Sequence, residues 1–297
     1  MNERKAVFKA GYISIIGKPN AGKSTLLNRI LGEKLSIVTH KPQTTRKNVL
    51  GILNKPGVQM IFLDTPGVIK PHYKLQEIMM TYVKSAIKDA DIILLMLDVT
   101  RAEDIESFNE EMASLDKPVI LVLNKIDAIA KNDLLPIMDV CMKLYKYEEI
   151  IPISALAGDG IDRVLSALEK HLPEHPPYFP EDYLTDQPER FFVAELIREK
   201  IFLMFGEEIP YSTHVEIEQF KEREKGKYYI QATIYVERPT QKKIIIGRRG
   251  EKIRELGKVA REEIEQFLQH EVYLELFVKV VEKWRKKDGR LRSLGYE

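Results

Sequence analysis

Apolar positions in this chain fall into two textures. Short unbroken runs stand at residues 12–16, 49–53, 58–63, 92–97, 119–123 and 150–153. Between most of them lie longer stretches, at 24–31, 75–88, 104–115, 133–147 and 161–171, in which apolar residues recur every three or four positions. The runs have the length and β-branched content of strands buried on both faces, and the periodic stretches read as amphipathic helices. Buried strands alternating with helices predict an α/β domain on a mostly parallel sheet. One junction breaks the alternation, because runs 49–53 and 58–63 are separated only by Asn54-Lys55-Pro56-Gly57. Such a turn cannot hold a crossover helix, so one antiparallel edge strand is predicted here.

From Leu172 to Glu189 the texture changes, with prolines at 173, 176, 177, 180 and 188. These exclude helix interior and central strand, and the stretch reads as a semi-rigid linker. Beyond it come a helical stretch at 190–205, alternating segments at 213–220 and 227–236, and a Gly-containing turn at 247–250. A helix at 251–269 and a strand at 272–281 complete an α+β unit in the order α-β-β-α-α-β. The expected organisation is a domain over 1–172, a linker over 173–189 and a second domain over 190–297.

With 297 residues, 44% of them hydrophobic, the chain can bury two packed cores, which excludes global disorder. A single cysteine, Cys141, cannot form an intramolecular disulfide, and no His/Cys cluster has zinc-ligand spacing. The histidines are scattered, and none is given a catalytic role. Residues 1–12 lack the apolar core of a secretory signal, and the run 92–97 falls far short of the roughly 20 residues of a membrane span. A soluble protein of a reducing compartment is expected. The net charge of +1 argues, taken whole, against a nucleic-acid partner.

Chemistry changes that picture. Gly17-Lys18-Pro19-Asn20-Ala21-Gly22-Lys23-Ser24, followed by Thr25, matches G-x-x-x-x-G-K-[ST] between the first strand and the first helix. Its glycines let backbone N–H groups cradle phosphates, Lys23 adds a point charge, the helix N-terminus adds its dipole, and Ser24 offers a hydroxyl to Mg²⁺. Asn124-Lys125-Ile126-Asp127 follows the strand at 119–123, at the sheet edge where open α/β folds bind ligands. The Asp127 carboxylate can accept hydrogen bonds from the imino and amino groups of guanine, a donor pair adenine lacks, which favours GTP over ATP. Ser154-Ala155-Leu156 follows the strand at 150–153 and could close over the base with backbone N–H groups. Asp64-Thr65-Pro66-Gly67 ends the strand at 58–63, where a carboxylate can hold Mg²⁺ through water and the glycine N–H can sense a γ-phosphate. Residues 41–46, with hydroxyls at Thr44 and Thr45, lie by chain position where a first switch would be.

These elements in this order resemble the translation-factor-related GTPases, and GxPNxGKSTLLN with TTR and DTPG is similar to the TrmE-Era-EngA-like group in particular, over residues 10–171. The resemblance implies a P-loop GTPase with Ser24, Thr45 and Asp64 around Mg²⁺, Thr44 remaining an alternative to Thr45. It also implies, for some members, a K⁺ ion held by the P-loop asparagine, here Asn20. Val68 stands where Ras-type proteins carry the glutamine that orients water, so no general base is assigned and unaided hydrolysis is expected to be slow.

In the second domain Gly247-Arg248-Arg249-Gly250 joins an apolar segment to a helix. Between residues 242 and 261 there are eight basic residues, Lys242, Lys243, Arg248, Arg249 and Lys252 among them, against two acidic ones. A Gly-flanked basic turn lets a sugar-phosphate backbone approach while a neighbouring apolar groove receives splayed bases. Order and turn together resemble a type II KH domain, an RNA-binding fold. Farther on, Trp284, Arg285, Lys286, Lys287, Arg290 and Arg292 form a second basic segment, read as packing Trp284 and Leu294 on the domain while cations face phosphate.

A GTPase domain joined to a type II KH domain resembles the ribosome-assembly GTPases of that group. What this implies is a monomer that binds GTP or GDP and the 3′ end of small-subunit ribosomal RNA, acts in small-subunit assembly, and in some members touches the inner face of the cell membrane loosely. Two other readings stay open: an RNA chaperone with a structural nucleotide, and a GTPase whose second domain binds protein or membrane. The near-zero net charge then means that RNA contact is confined to two short basic surfaces.

Overall fold

In the computed structural model, which describes residues 8–101 and 116–296, each apolar run becomes a strand. These are β1 (Lys9–Gly17), β2 (Val49–Lys55), β3 (Val58–Asp64), β4 (Ile92–Asp98), β5 (Val119–Asn124) and β6 (Glu149–Ile153), in the sheet order β2-β3-β1-β4-β5-β6. All neighbours are parallel except β2 and β3, which form the hairpin expected from the turn at 54–57, with Lys55 opposite Val58. The central strands β4 and β5 are buried along their whole length, which explains why their sequences show no polar alternation. Described helices of this part are α1 (Lys23–Leu31), α2 (Lys74–Asp89), α3 (Lys131–Leu144) and α4 (Ile161–His171). The helix expected over 104–115 lies outside the described residues. Among the described residues no helix is long and apolar enough to cross a membrane.

Parallel register brings the strand ends that matter to one edge. Ile15 stands opposite Asp64, Gly17 opposite Met96, and Asp98 opposite Asn124. The P-loop, the DTPG segment and the NKID segment therefore leave the sheet on the same side, at the carboxyl ends of its strands.

The chain divides into two units whose borders differ from those expected. One holds the residues through Ser36, Thr45–Lys70 and Met79–Asp186, and the other Ile37–Thr44, Pro71–Ile78 and Gln187 onward. Most of the proline-rich stretch thus belongs to the first unit. Its carbonyls accept strand donors left open by the sheet, Ala10 N–H of β1 to Pro173 O at 3.2 Å and Ile52 N–H of the edge strand β2 to Leu184 O at 2.8 Å. The Gln59 carboxamide bonds to Tyr178 N, Phe179 N and Phe179 O, while Phe179 packs on Leu50, Ile52 and Ile61. Prolines remove donors but leave acceptors, so a proline-rich segment can strap a sheet that supplies the N–H groups.

The second unit contains α5 (Glu189–Met204), α6 (Ile209–Ser212), β7 (His214–Lys221), β8 (Tyr228–Val236), α7 (Pro239–Ile246), α8 (Glu251–Leu268), β9 (Val272–Val280) and α9 (Asp288–Ser293). Its sheet runs β7-β8-β9, the first pair antiparallel and the second parallel. Val193, Ile197 and Ile201 of α5 and Leu256, Ala260 and Ile264 of α8, each set spaced by four, join Ile230, Ala232 and Ile234 of β8 in one core. Phe192 of α5 is buried as well, which takes its ring out of reach of a stacked base. Residues 37–44 are held in this unit by Val38 N–H donating to Glu199 Oε1 at 3.0 Å and by the Lys41 ammonium donating to the Phe202 and Phe205 carbonyls at the end of α5.

Candidate functional site

Gly22 opens α1 with φ +102, and a Cβ there would lie 2.1 Å from Asn124 Nδ2, so only glycine lets the loop turn against the end of β5. Lys23 is buried, its ammonium donating to Gly17 O and Lys18 O at 3.0 Å each. Burial pushes its pKa down to about 8 against the pull of Asp64. Ser24 Oγ donates to Asp64 Oδ2 at 2.7 Å and lies 3.1 Å from Thr45 Oγ1. Burial raises the Asp64 pKa, opposed by Lys23 and by the hydroxyls of Ser24, Ser36 and Thr45. Asp64 Oδ1 is buried with no hydrogen-bond partner. A buried carboxylate with an orphan oxygen beside two hydroxyls is a donor set of hard oxygens, which suits a magnesium-sized cation and its water. The desolvated Lys23 beside it suits an anion.

The two switch threonines separate. Thr45 stands with Ser24, whereas Thr44, in the second unit, shares a hydrogen bond with Thr39 Oγ1 and donates to Lys41 O, both at 2.8 Å. Thr65 is fully buried and donates to Ile15 O at 2.7 Å, which leaves it structural. Gly67 lies so close to the P-loop that a Cβ would meet Pro19 N at 2.6 Å. Val68 donates its N–H to Gly17 O at 3.1 Å and packs its side chain into the core beneath the sheet. It offers a water molecule nothing. Asn20 holds a left-handed backbone at φ 66 in the same loop.

At the base end, Asn124 spans two loops, its Nδ2 donating to Ala21 O at 2.7 Å and its Oδ1 accepting Ala155 N–H at 2.9 Å. Lys125 also has positive φ and pairs with Asp98 Oδ2 at 2.5 Å. Burial pushes the Asp98 carboxyl up, but hydrogen bonds from Lys125 and Thr100 outweigh it and hold the group below its ordinary pKa. Asp127 is exposed in a short 3-10 turn, Ser154 and Ala155 are buried, and Leu156 is 74% exposed. Asp98 and Asn28 escaped the sequence reading. Asn28 holds Ser36 through its carbonyl and N–H, at 2.7 and 2.9 Å, and so fixes the chain leaving α1. Asp98 had one available signal, its place at the end of β4 beside NKID.

In the second unit, Gly247 and Gly250 have φ of +74 and +80, and Arg248 and Arg249 between them are exposed. Lys243 and Lys252 are exposed, Lys242 half-buried, and the Lys252 ammonium sits 5.8 Å from the Phe205 ring centre. Ile244 is 44% exposed beside the turn. The C-terminal basic segment packs Trp284 on the domain, as read, but departs from the reading at Arg285 and Leu294. Trp284 is fully buried and donates its indole N–H to Ser212 O at 2.9 Å, so it cannot stack on a base. Arg285 turns inward as well, pairing with Glu237 Oε2 at 2.5 Å and lying 5.0 Å from the Tyr73 ring centre. Leu291 and Tyr296, more than Leu294, are the apolar anchors of the segment. Lys286, Lys287, Arg290 and Arg292 are exposed. Lys287 and Arg290 line an open cleft of about 590 Å³ with Tyr235 and Lys279.

A family model described as 50S ribosome-binding GTPase matches residues 12–125, and one described as KH domain matches residues 208–285. The chain is 49% identical to the GTPase Era of Geotalea uraniireducens over 98% of both chains, and 45% identical to that of Ruminiclostridium cellulolyticum over 98% of both. Among solved structures it resembles Era in complex with MgGDPNP and nucleotides 1506–1542 of 16S ribosomal RNA, at 44% identity, TM-score 0.93 and 97% and 99% coverage of the two chains. It also resembles a variant of Aquifex aeolicus Era bound to GDP·AlF4⁻, at 43% identity, TM-score 0.93 and the same coverage. A P-loop sequence, an NKID segment and a KH unit, in that order and at this identity over nearly the whole chain, make this protein a GTPase of the Era family.

Proposed function

We propose that the protein is a Mg²⁺-dependent GTP switch that binds the 3′ end of small-subunit ribosomal RNA and acts in assembly of that subunit, in the cytoplasm. The reading is supported most by one observation: Ser24, Thr45 and Asp64 converge beside the desolvated Lys23 at the head of α1. Residues 17–25 would cradle the phosphates, Ser24 and Thr45 would ligate Mg²⁺ directly and Asp64 through water, and Gly67 would sense the γ-phosphate. Asn124, Lys125, Asp127 and the loop at 154–156 would hold guanine. A cation held by these residues would supply positive charge against that developing on the transferred phosphoryl group. RNA would meet Arg248, Arg249, Lys243 and Lys252 at the Gly-flanked turn, and Lys286, Lys287, Arg290 and Arg292 near the C-terminus. An Era relative solved with MgGDPNP and 16S RNA supports both halves of this assignment.

Coupling is the testable core. Affinity for a labelled RNA of the 16S 3′ end, measured in the GTP-analogue and GDP forms, is expected to differ by about 5- to 150-fold, and RNA should shift nucleotide affinity by the same factor. Equal affinities would remove the switch, and absence of binding would remove the RNA partner.

The hydrolytic step lacks a polar side chain at Val68, and we assign part of its electrostatics to K⁺ held by Asn20. Turnover is expected to fall on the order of tenfold when K⁺ is replaced by Na⁺, and Asn20→Ala should erase the difference between the two salts. Equal rates in both salts for the wild type would rule the assignment out.

A further inference from the structure

Arg29, in the last turn of α1, carries none of the motif chemistry, yet its guanidinium is turned onto the loop that follows β6. Its Nε donates to Ala155 O at 3.4 Å and its Nη2 to Leu156 O. The Gly158 backbone passes beside it, so that a Cβ there would lie 3.7 Å from Nε. A guanidinium offers its donors in one rigid plane, so two successive carbonyls gripped by it must both face α1.

That grip has a consequence for the opposite side of the loop. In a planar trans peptide the C=O and the following N–H point in opposite directions. Holding Leu156 O toward Arg29 directs Ala157 N–H away from it, and this N–H indeed donates to Ser154 Oγ at 3.0 Å. Holding Ala155 O toward Arg29 likewise directs Leu156 N–H away from α1. The other donors of the loop are committed: Ala155 N–H to Asn124 Oδ1, Gly158 N–H to Ser154 O at 2.8 Å, and Ser154 N–H to Asp159 O at 3.1 Å. Within residues 154–158, Leu156 N–H is the one donor with no partner among the described residues, and its direction is set by Arg29.

We propose that Arg29 is a positioning residue for guanine recognition, fixing the peptide plane that aims Leu156 N–H at the 6-oxo group of the base. This rests on the reading that residues 154–156 cover the guanine. The discriminating probe is 6-thio-GDP, which keeps the imino and amino groups that face Asp127 and replaces only the 6-oxo acceptor by sulfur, a weak one. Dissociation constants of GDP and 6-thio-GDP are measured for the full-length wild type, Arg29→Ala and Arg29→Lys, with thermal unfolding of each recorded. Wild type is expected to prefer GDP by roughly two- to tenfold, the worth of one hydrogen bond. Arg29→Ala should bind GDP more weakly and bring the ratio close to one, and Arg29→Lys should restore part of it. A ratio in Arg29→Ala equal to that of a discriminating wild type, whatever happens to stability, overturns the role of Arg29. A wild type that does not discriminate overturns instead the placement of the loop over the base.

Discussion

Asp127→Asn is expected to convert the protein from a guanine- to a xanthine-nucleotide binder, weakening GTP by about 10³-fold or more while xanthosine triphosphate gains. The carboxylate offers two acceptors to the imino N–H and the 2-amino group of guanine. An amide keeps one acceptor and turns the other position into a donor, which faces the donor of the 2-amino group. Unpaired and opposed polar groups in a site built for hydrogen bonds are costly, which is why such sites discriminate by as much as about 10⁴–10⁵. Xanthine carries a 2-oxo acceptor where guanine has its amino group, so the same amide fits it. Asp127 is exposed in its short turn and no described core packing depends on it, so thermal stability should not change. Titration of fluorescent GTP, xanthosine triphosphate and ATP into wild type and variant checks this. Retained GTP affinity in the variant would show that another group reads the base.

That prediction could be framed from the sequence because NKID carries its own chemistry and its strand was readable as a buried apolar run. The β2–β3 hairpin was legible for a similar reason, since a turn of Asn, Lys, Pro and Gly leaves room for one connection only. What escaped were partnerships between residues far apart in the chain. Nothing local marks Asp98 as the anchor of Lys125, 27 residues on, or Arg29 as a ligand of carbonyls about 126 residues away. The proline-rich stretch had a composition compatible with a free spacer and with a strap, and the choice was made by donors on β1 and β2 that composition does not reveal. Charge counting failed at Arg285 because the deciding residue, Glu237, lies 48 positions earlier and turns the guanidinium inward. Trp284 was legible as an anchor because it is the one large aromatic in a basic segment, but its partner, the Ser212 carbonyl 72 residues earlier, was not.

The same contrast predicts how the basic residues of the second unit will divide. Reversing Arg248 and Arg249 together to glutamate should lower affinity for the 16S 3′ RNA by about 10²-fold or more near 0.15 M salt. It should also reduce the slope of log affinity against log salt by about two, one for each phosphate that is no longer neutralised. Both arginines are exposed between glycines whose positive φ holds the turn outward, and neither contributes to the core of α5, α8 and β8. Folding and RNA-free GTP hydrolysis should therefore be preserved. Arg285→Glu makes the same kind of charge reversal at a single residue, with the opposite outcome. Its guanidinium is paired with Glu237 and only 17% exposed, so the reversal sets two carboxylates against each other in a partly buried site. Breaking such a pair costs up to about 3–5 kcal/mol, less here because the pair keeps some exposure to solvent, and the loss should appear in thermal unfolding rather than in the salt slope. If instead Arg285→Glu lowers the slope and the Arg248 and Arg249 reversal does not, the RNA surface lies at the C-terminal segment and not at the Gly-flanked turn.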